Sequence, residues 1–138
     1  MKTLLITVAL VSVAALTSCQ KDPEENNAVK NMLIGQWKLN KIEVDVYSPI
    51  PVLDHQDIQI GTPSDSLVFK ANGKVYSYLE DPLDPEIMDW YLINDSTLSV
   101  DDEIVKIKEL TNTLLHFHSD ETYTSQNTRE VSNITFYR

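Results

Sequence analysis

From Trp37 onward the apolar positions of the chain recur with a period of two. Trp37 and Leu39 alternate with polar neighbours, and Ile42, Val44 and Val46 resume the alternation after a slip of one position. Side chains at every second residue share a face, so each run predicts a half-buried strand. The slip predicts a bulge near Asn40. Ser66–Ala71 and Lys74–Leu79 form a second pair of runs, joined by Asn72-Gly73. Both residues of that dipeptide tolerate positive φ, which predicts a tight hairpin. Further strands are expected at Met88–Ile93, Thr97–Val100, Ile104–Leu110, Leu114–His118 and Val131–Tyr137. Between them, Asn94-Asp95-Ser96, Asp101-Asp102-Glu103 and Thr111-Asn112-Thr113 read as turns, and Asp81–Pro85 breaks the chain. Tyr47–Thr62 carries Pro49, Pro51 and Gly61 and reads as a long loop with a short strand at Ile58–Ile60. Helical spacing occurs once, at Val29, Met32 and Leu33, and predicts a short helix over Ala28–Ile34 stopped by Gly35. About eight regular short strands with almost no helix predict an all-β sandwich or up-and-down barrel. No repeat of solenoid length is visible.

Composition narrows the function classes. The chain has 138 residues, 11 Lys+Arg against 21 Asp+Glu, and a formal net charge of -10. Cations this few do not make a nucleic-acid surface or a basic membrane patch. One cysteine excludes an internal disulfide and a thiolate metal cluster. Three glycines, with neither GxGxxG nor GxxxxGK[ST], leave no phosphate-cradling loop. No GxSxG context supports a nucleophilic serine. The expectation is therefore a protein that is not an enzyme and carries no cofactor.

The first 18 residues, MKTLLITVALVSVAALTS, have the build of a signal peptide. Lys2 is the positive start, and Thr3–Leu16 is an apolar run too short to span a bilayer as a helix. Leu16-Thr17-Ser18-Cys19 then resembles the lipobox of bacterial lipoproteins. The resemblance implies cleavage before Cys19 and acyl chains on that residue, an anchor that two or three chains make stable. Residues 19–31 read as the lipidated cysteine and a flexible acidic tether, and 32–138 as the folded domain. Lys21, Asp22, Glu24 and Glu25 resemble the export signal of surface-displayed lipoproteins of the Bacteroidetes group. That implies an outer-membrane lipoprotein exposed at the cell surface, with the periplasmic face as the alternative.

Within the domain, Gly35-Gln36-Trp37 at the head of the first strand resembles the Gly-x-Trp motif of lipocalins. Phe69–Gly73, Trp90–Asp95, Leu98–Val100 and Ile107–Leu114 follow in an order similar to the lipocalin-like lipoproteins of the Bacteroidetes group. The resemblance implies a small antiparallel calycin-type barrel or half-barrel, closed at one end by Gly35 and Trp37, with Arg138 stacked on the indole. A ligand would then enter at the opposite end. Tyr76, Tyr78, Trp90 and Phe117 are the aromatic candidates for binding a small apolar molecule in such an interior. The alternative is a packed core that presents loops or its outer face to a protein or glycan partner.

Other chemistry is thinner. His116 and His118 share a strand face and would bind a metal only with a third ligand such as His55. The carboxylates of Asp101–Glu103 and of Glu80, Asp81, Asp84, Glu86 and Asp89 lack EF-hand spacing and read as solvated turns. Asp65-Ser66-Leu67 and Asp95-Ser96-Thr97 resemble O-glycosylation sites of Bacteroidetes secreted proteins.

Overall fold

A computed structural model of the protein describes residues 23–138. The signal segment, Cys19, Lys21 and Asp22 lie outside the described residues. One helix, α1 (Pro23–Leu33), precedes nine strands: β1 (Gly35–Tyr47), β2 (Leu53–Ile60), β3 (Ser66–Phe69), β4 (Lys74–Ser77), β5 (Glu86–Asn94), β6 (Thr97–Val100), β7 (Glu103–Leu110), β8 (Leu114–Tyr123) and β9 (Thr128–Tyr137). All pairings are antiparallel, in the order β2-β1-β3-β4-β5-β6-β7-β8-β9. An additional β1–β9 pairing closes eight of the strands into a barrel and leaves β2 outside the ring. The fold is thus the small all-β barrel with a short N-terminal helix that the strand spacing and the lipocalin resemblance implied.

The length of β1 explains how a ring of eight carries a ninth strand. Along one edge, Gly35–Lys38 pairs with β3, and Lys41–Tyr47 pairs with β2. Along the other edge, Lys38–Tyr47 pairs with β9. The register against β9 slips between Leu39 and Lys41, which is the bulge expected near Asn40. At this crossing the connection from β2 to β3 supplies the backbone partners: Asp65 O accepts from Leu39 N at 2.8 Å, and Asn40 O accepts from Gly61 N at 3.0 Å. Gly61 is required there for space. A Cβ on it would stand 2.1 Å from Leu39 O.

Three local expectations are revised. The helix begins at Pro23, five residues before the expected start at Ala28, and so takes in Glu24 and Glu25. Proline fits a first helical turn, where its missing N–H is not needed. Half of the expected Tyr47–Thr62 loop is strand β2, which extends the short strand expected at Ile58–Ile60 back to Leu53 as a fully exposed edge whose backbone order comes from pairing with β1. The Asn72-Gly73 hairpin forms, but only Gly73 takes positive φ, at 81°. Gly73 N donates to Lys70 O at 3.2 Å, so the turn is a three-residue connection with a glycine bulge. The two-residue turn with left-handed φ at both positions occurs instead at Asp101 (48°) and Asp102 (67°), between β6 and β7.

The core fills the lower barrel. Leu33, Trp37, Leu39, Leu67, Phe69, Val75, Trp90, Leu98, Ile107, Leu115, Phe117 and Phe136 form one buried cluster. Its centre is a chain of edge-to-face rings: Trp90–Phe69 at 5.1 Å, Phe69–Phe117 at 6.4 Å and Phe117–Phe136 at 5.8 Å between centroids. Each such pair adds about 0.5–1.5 kcal/mol beyond its area burial. β1, β8 and β9 rise above the shorter β3, β4 and β6, so the barrel has one tall wall and a low one.

Candidate functional site

Gly35, Trp37 and Arg138 come together where β1 follows α1. Trp37 is 0% exposed, and its indole N–H donates to Leu33 O at 2.8 Å. The Arg138 guanidinium lies 4.0 Å over the Trp37 ring. Its nitrogens donate to Asn112 O at 2.7 Å, Met32 O at 2.8 Å and Ile34 O at 3.3 Å. Arg138 and Trp37 together thereby satisfy carbonyls at the C-terminal end of α1, where a cation also suits the dipole. Gly35 has φ 129°, and a Cβ there would meet Arg138 Nη1 at 3.2 Å. The stacking of Arg138 on Trp37 is the contact that the lipocalin resemblance implied.

The opposite end is open. The β7–β8 ladder stops at Lys106↔His118, although β8 continues to Tyr123 and β7 begins at Glu103. In this notch lies a cavity of about 170 Å³. Val105, Phe117 and Ile134 give it apolar walls, Ser119 and Ser132 add hydroxyls, and Glu103 and Glu121 stand at its rim. Ser119 faces Ser132 across the β8–β9 ladder, and Glu121 faces Glu130. A second depression of about 270 Å³ shares Ile104, His118, Ser119 and Glu121 with it. The acidic character of the rim registers on Tyr123. Its phenol is held above the usual range first by the hydrogen bond it donates to Glu121, and further by the charges of Glu121, Glu130 and Glu103.

The four aromatic binding candidates do not meet in one site. Phe117 lines the mouth cavity. Trp90 is buried below it, with its indole N–H shared between Lys70 O and Lys74 O at 3.1 Å each, so it clamps the β3–β4 hairpin. Tyr76 and Tyr78 lie on the outer face, because Val75 and Ser77 of the same strand take the inward positions. The two tyrosines line an outer groove of about 880 Å³ together with Gln36, Val68 and Lys70. The rim residues Ser119 and Glu121 escaped sequence reading because the apolar alternation of β8 ends at Phe117. The alternation of β9 through Ile134 was visible.

The remaining candidates stay apart. His116 Nε2 and His118 Nδ1 both meet Asn133 Oδ1, at 3.1 and 3.0 Å, on the outer face. His55 is on β2, where its hydrogen bond to Asp54 raises its pKa above the ordinary imidazole value. Among the described residues no three His, Cys, Asp or Glu side chains come together as a metal set. Ser66 is 2% exposed and accepts a hydrogen bond from Gln36 at 3.3 Å. Ser96 is exposed on the turn between β5 and β6.

No protein-family model matches the chain, and no curated protein matches it. Among solved structures, the chain is similar to a deswapped triple mutant of bovine odorant binding protein, with TM-score 0.40, 20% identity, and coverage of 76% of this chain and 73% of that one. It is also similar to bovine odorant binding protein in complex with a selenium-containing odorant, with TM-score 0.41, 17% identity, and coverage of 79% and 72%. Neither likeness carries an inference about what this chain binds.

Proposed function

We propose that this chain is a non-enzymatic binding protein, held at the bacterial envelope by lipid on Cys19, that takes a small apolar ligand in the mouth of its barrel. The observation that supports the reading is the 170 Å³ cavity at the end away from Trp37, with Val105, Phe117 and Ile134 as its apolar walls. Below it the aromatic chain from Phe117 to Trp90 packs the core, which favours a short ligand at the mouth. The size of the ligand follows from the volume. An apolar cavity of about 150 Å³ accepts benzene, so the mouth suits a single ring or a short branched chain. Ser119 and Ser132 hydroxyls can orient one polar group, and Glu103 and Glu121 disfavour an anionic one.

Calorimetric titration of the full chain with toluene and p-cresol tests the site. Saturable binding lost in Ile134→Trp, a variant that fills the cavity, is the expected result. No binding of either compound at millimolar concentration, or binding unchanged by Ile134→Trp, would overturn it. Envelope display is tested separately by protease treatment of intact cells, which should degrade the protein.

A further inference from the structure

The largest concavity described on the molecule is not in the barrel. It is the outer groove of about 880 Å³ over β3 and β4. Its floor is set by strand register: Gln36 of β1 pairs with Val68 of β3, and Val68 pairs with Tyr76 of β4. Tyr78 follows two residues on, and its backbone N–H donates to Ser66 O at 2.8 Å, which carries the ladder past the end of β4. The two rings therefore stand side by side along one strand.

Three observations point to a ligand. First, both tyrosines are half-buried while their phenol hydroxyls bond to no described residue and stay open to solvent, so each is free to meet a ligand. Second, the Lys70 ammonium sits 5.9 Å from the Tyr76 ring centroid and makes no ion pair among the described residues. Third, none of the ten lining residues is acidic, on a chain with 21 carboxylates. The lining thus holds one cation and no carboxylate on an acidic protein.

We propose that this groove binds an acidic, hydroxyl-rich ring compound with the chemistry of a uronic sugar. The apolar faces of successive rings lie on Tyr76 and Tyr78. The carboxylate pairs with Lys70. Ring hydroxyls exchange hydrogen bonds with the two phenols, the Gln36 amide and Ser64. One lysine is too little charge for a polyphosphate or nucleic-acid chain, whose affinity scales with the number of neutralised phosphates. The mixed polar lining does not suit a wholly apolar ligand. The site is on the opposite side of the barrel wall from the inward-facing core, so it stands or falls independently of the mouth cavity.

The test is calorimetric titration of the full chain with a galacturonic acid trimer, beside maltotriose, benzoate and decaproline. The trimer should bind saturably, and maltotriose and benzoate much more weakly. Lys70→Gln, an exposed substitution, should weaken the trimer by about tenfold or more, the loss of one hydrogen-bonded charge, while leaving residual maltotriose binding unchanged. Tyr76→Phe should weaken both saccharides. Ile134→Trp should change none of these affinities. Failure of the trimer to bind at millimolar concentration overturns the proposal. So does equal affinity for maltotriose or benzoate, or binding indifferent to Lys70→Gln. Capture of decaproline in place of the trimer also overturns it and makes the groove a peptide site.

Discussion

Replacing Arg138 with alanine should destabilise the whole barrel, although the residue is exposed. The substitution removes a guanidinium 4.0 Å above the Trp37 ring and hydrogen bonds to Asn112, Met32 and Ile34 carbonyls. A cation–π contact at an exposed site contributes about 0.5–1 kcal/mol. A cation at a helix C-terminus contributes about 0.3–1 kcal/mol. Hydrogen bonds open to solvent contribute less than the roughly 1 kcal/mol typical of protein hydrogen bonds, because water replaces the donor. One guanidinium makes all of these contacts, so they do not add fully. The expected loss is about 2 kcal/mol, or ~8 °C in Tm for a domain of this size. Urea unfolding followed by tryptophan emission measures it. The folded variant should also show red-shifted emission, because Trp37 gains solvent where the guanidinium lay. Arg138→Lys keeps the charge and loses the planar fork, and should recover about half of the difference. A midpoint for Arg138→Ala indistinguishable from the parent, with unshifted emission, would refute the reasoning.

Three other outcomes are expected. Gly61→Ala should cost at least ~2 kcal/mol, read by thermal unfolding, because the new methyl lands on the Leu39 backbone and not on a side chain that can move aside. Asp120 pairs with Arg129 through two hydrogen bonds at 2.8 and 2.6 Å, and that partner holds its carboxyl below the usual carboxylate range. A carboxylate with a lowered folded-state pKa gives stability that is present above its unfolded pKa and lost as pH falls through the folded value. Asp120→Asn should therefore melt lower than the parent at neutral pH, and the two should converge in acid. A difference that persists below the carboxylate range would show that the ion pair is not its cause. Finally, Cys19→Ala should move the protein from the membrane fraction to the soluble fraction, assayed by fractionation and immunoblotting, and retention in the membrane would sink the lipid anchor.

The strands were legible wherever one face is buried and the other wet. β6 matches its expected bounds, and the bulge at Asn40 was visible as a slip in apolar spacing. β2 was legible only over Ile58–Ile60, because all of its residues are exposed and its partner β1 supplies its order. The upper half of β8 was missed for a related reason: Ser119 to Tyr123 carries no apolar alternation and is held by β9 alone. The candidate site suffered from a face ambiguity. Alternation shows that Tyr76 and Tyr78 share a side, but Val75 competes for the interior with less bulk and no hydroxyl to satisfy. The barrel buried Val75 and turned the tyrosines outward. Trp37 had no such rival, since its neighbours Gln36 and Lys38 are polar, and its burial was readable from the alternation.

The claim that the barrel mouth holds the ligand is tested most directly by methyl NMR of the full chain titrated with p-cresol. Binding at the mouth predicts saturable shifts of the Val105 and Ile134 methyls, with intermolecular contacts from the ligand to these methyls and to the Phe117 ring. Methyls that stay unmoved at saturating ligand, or shifts confined to Val68 in the outer groove, would contradict it.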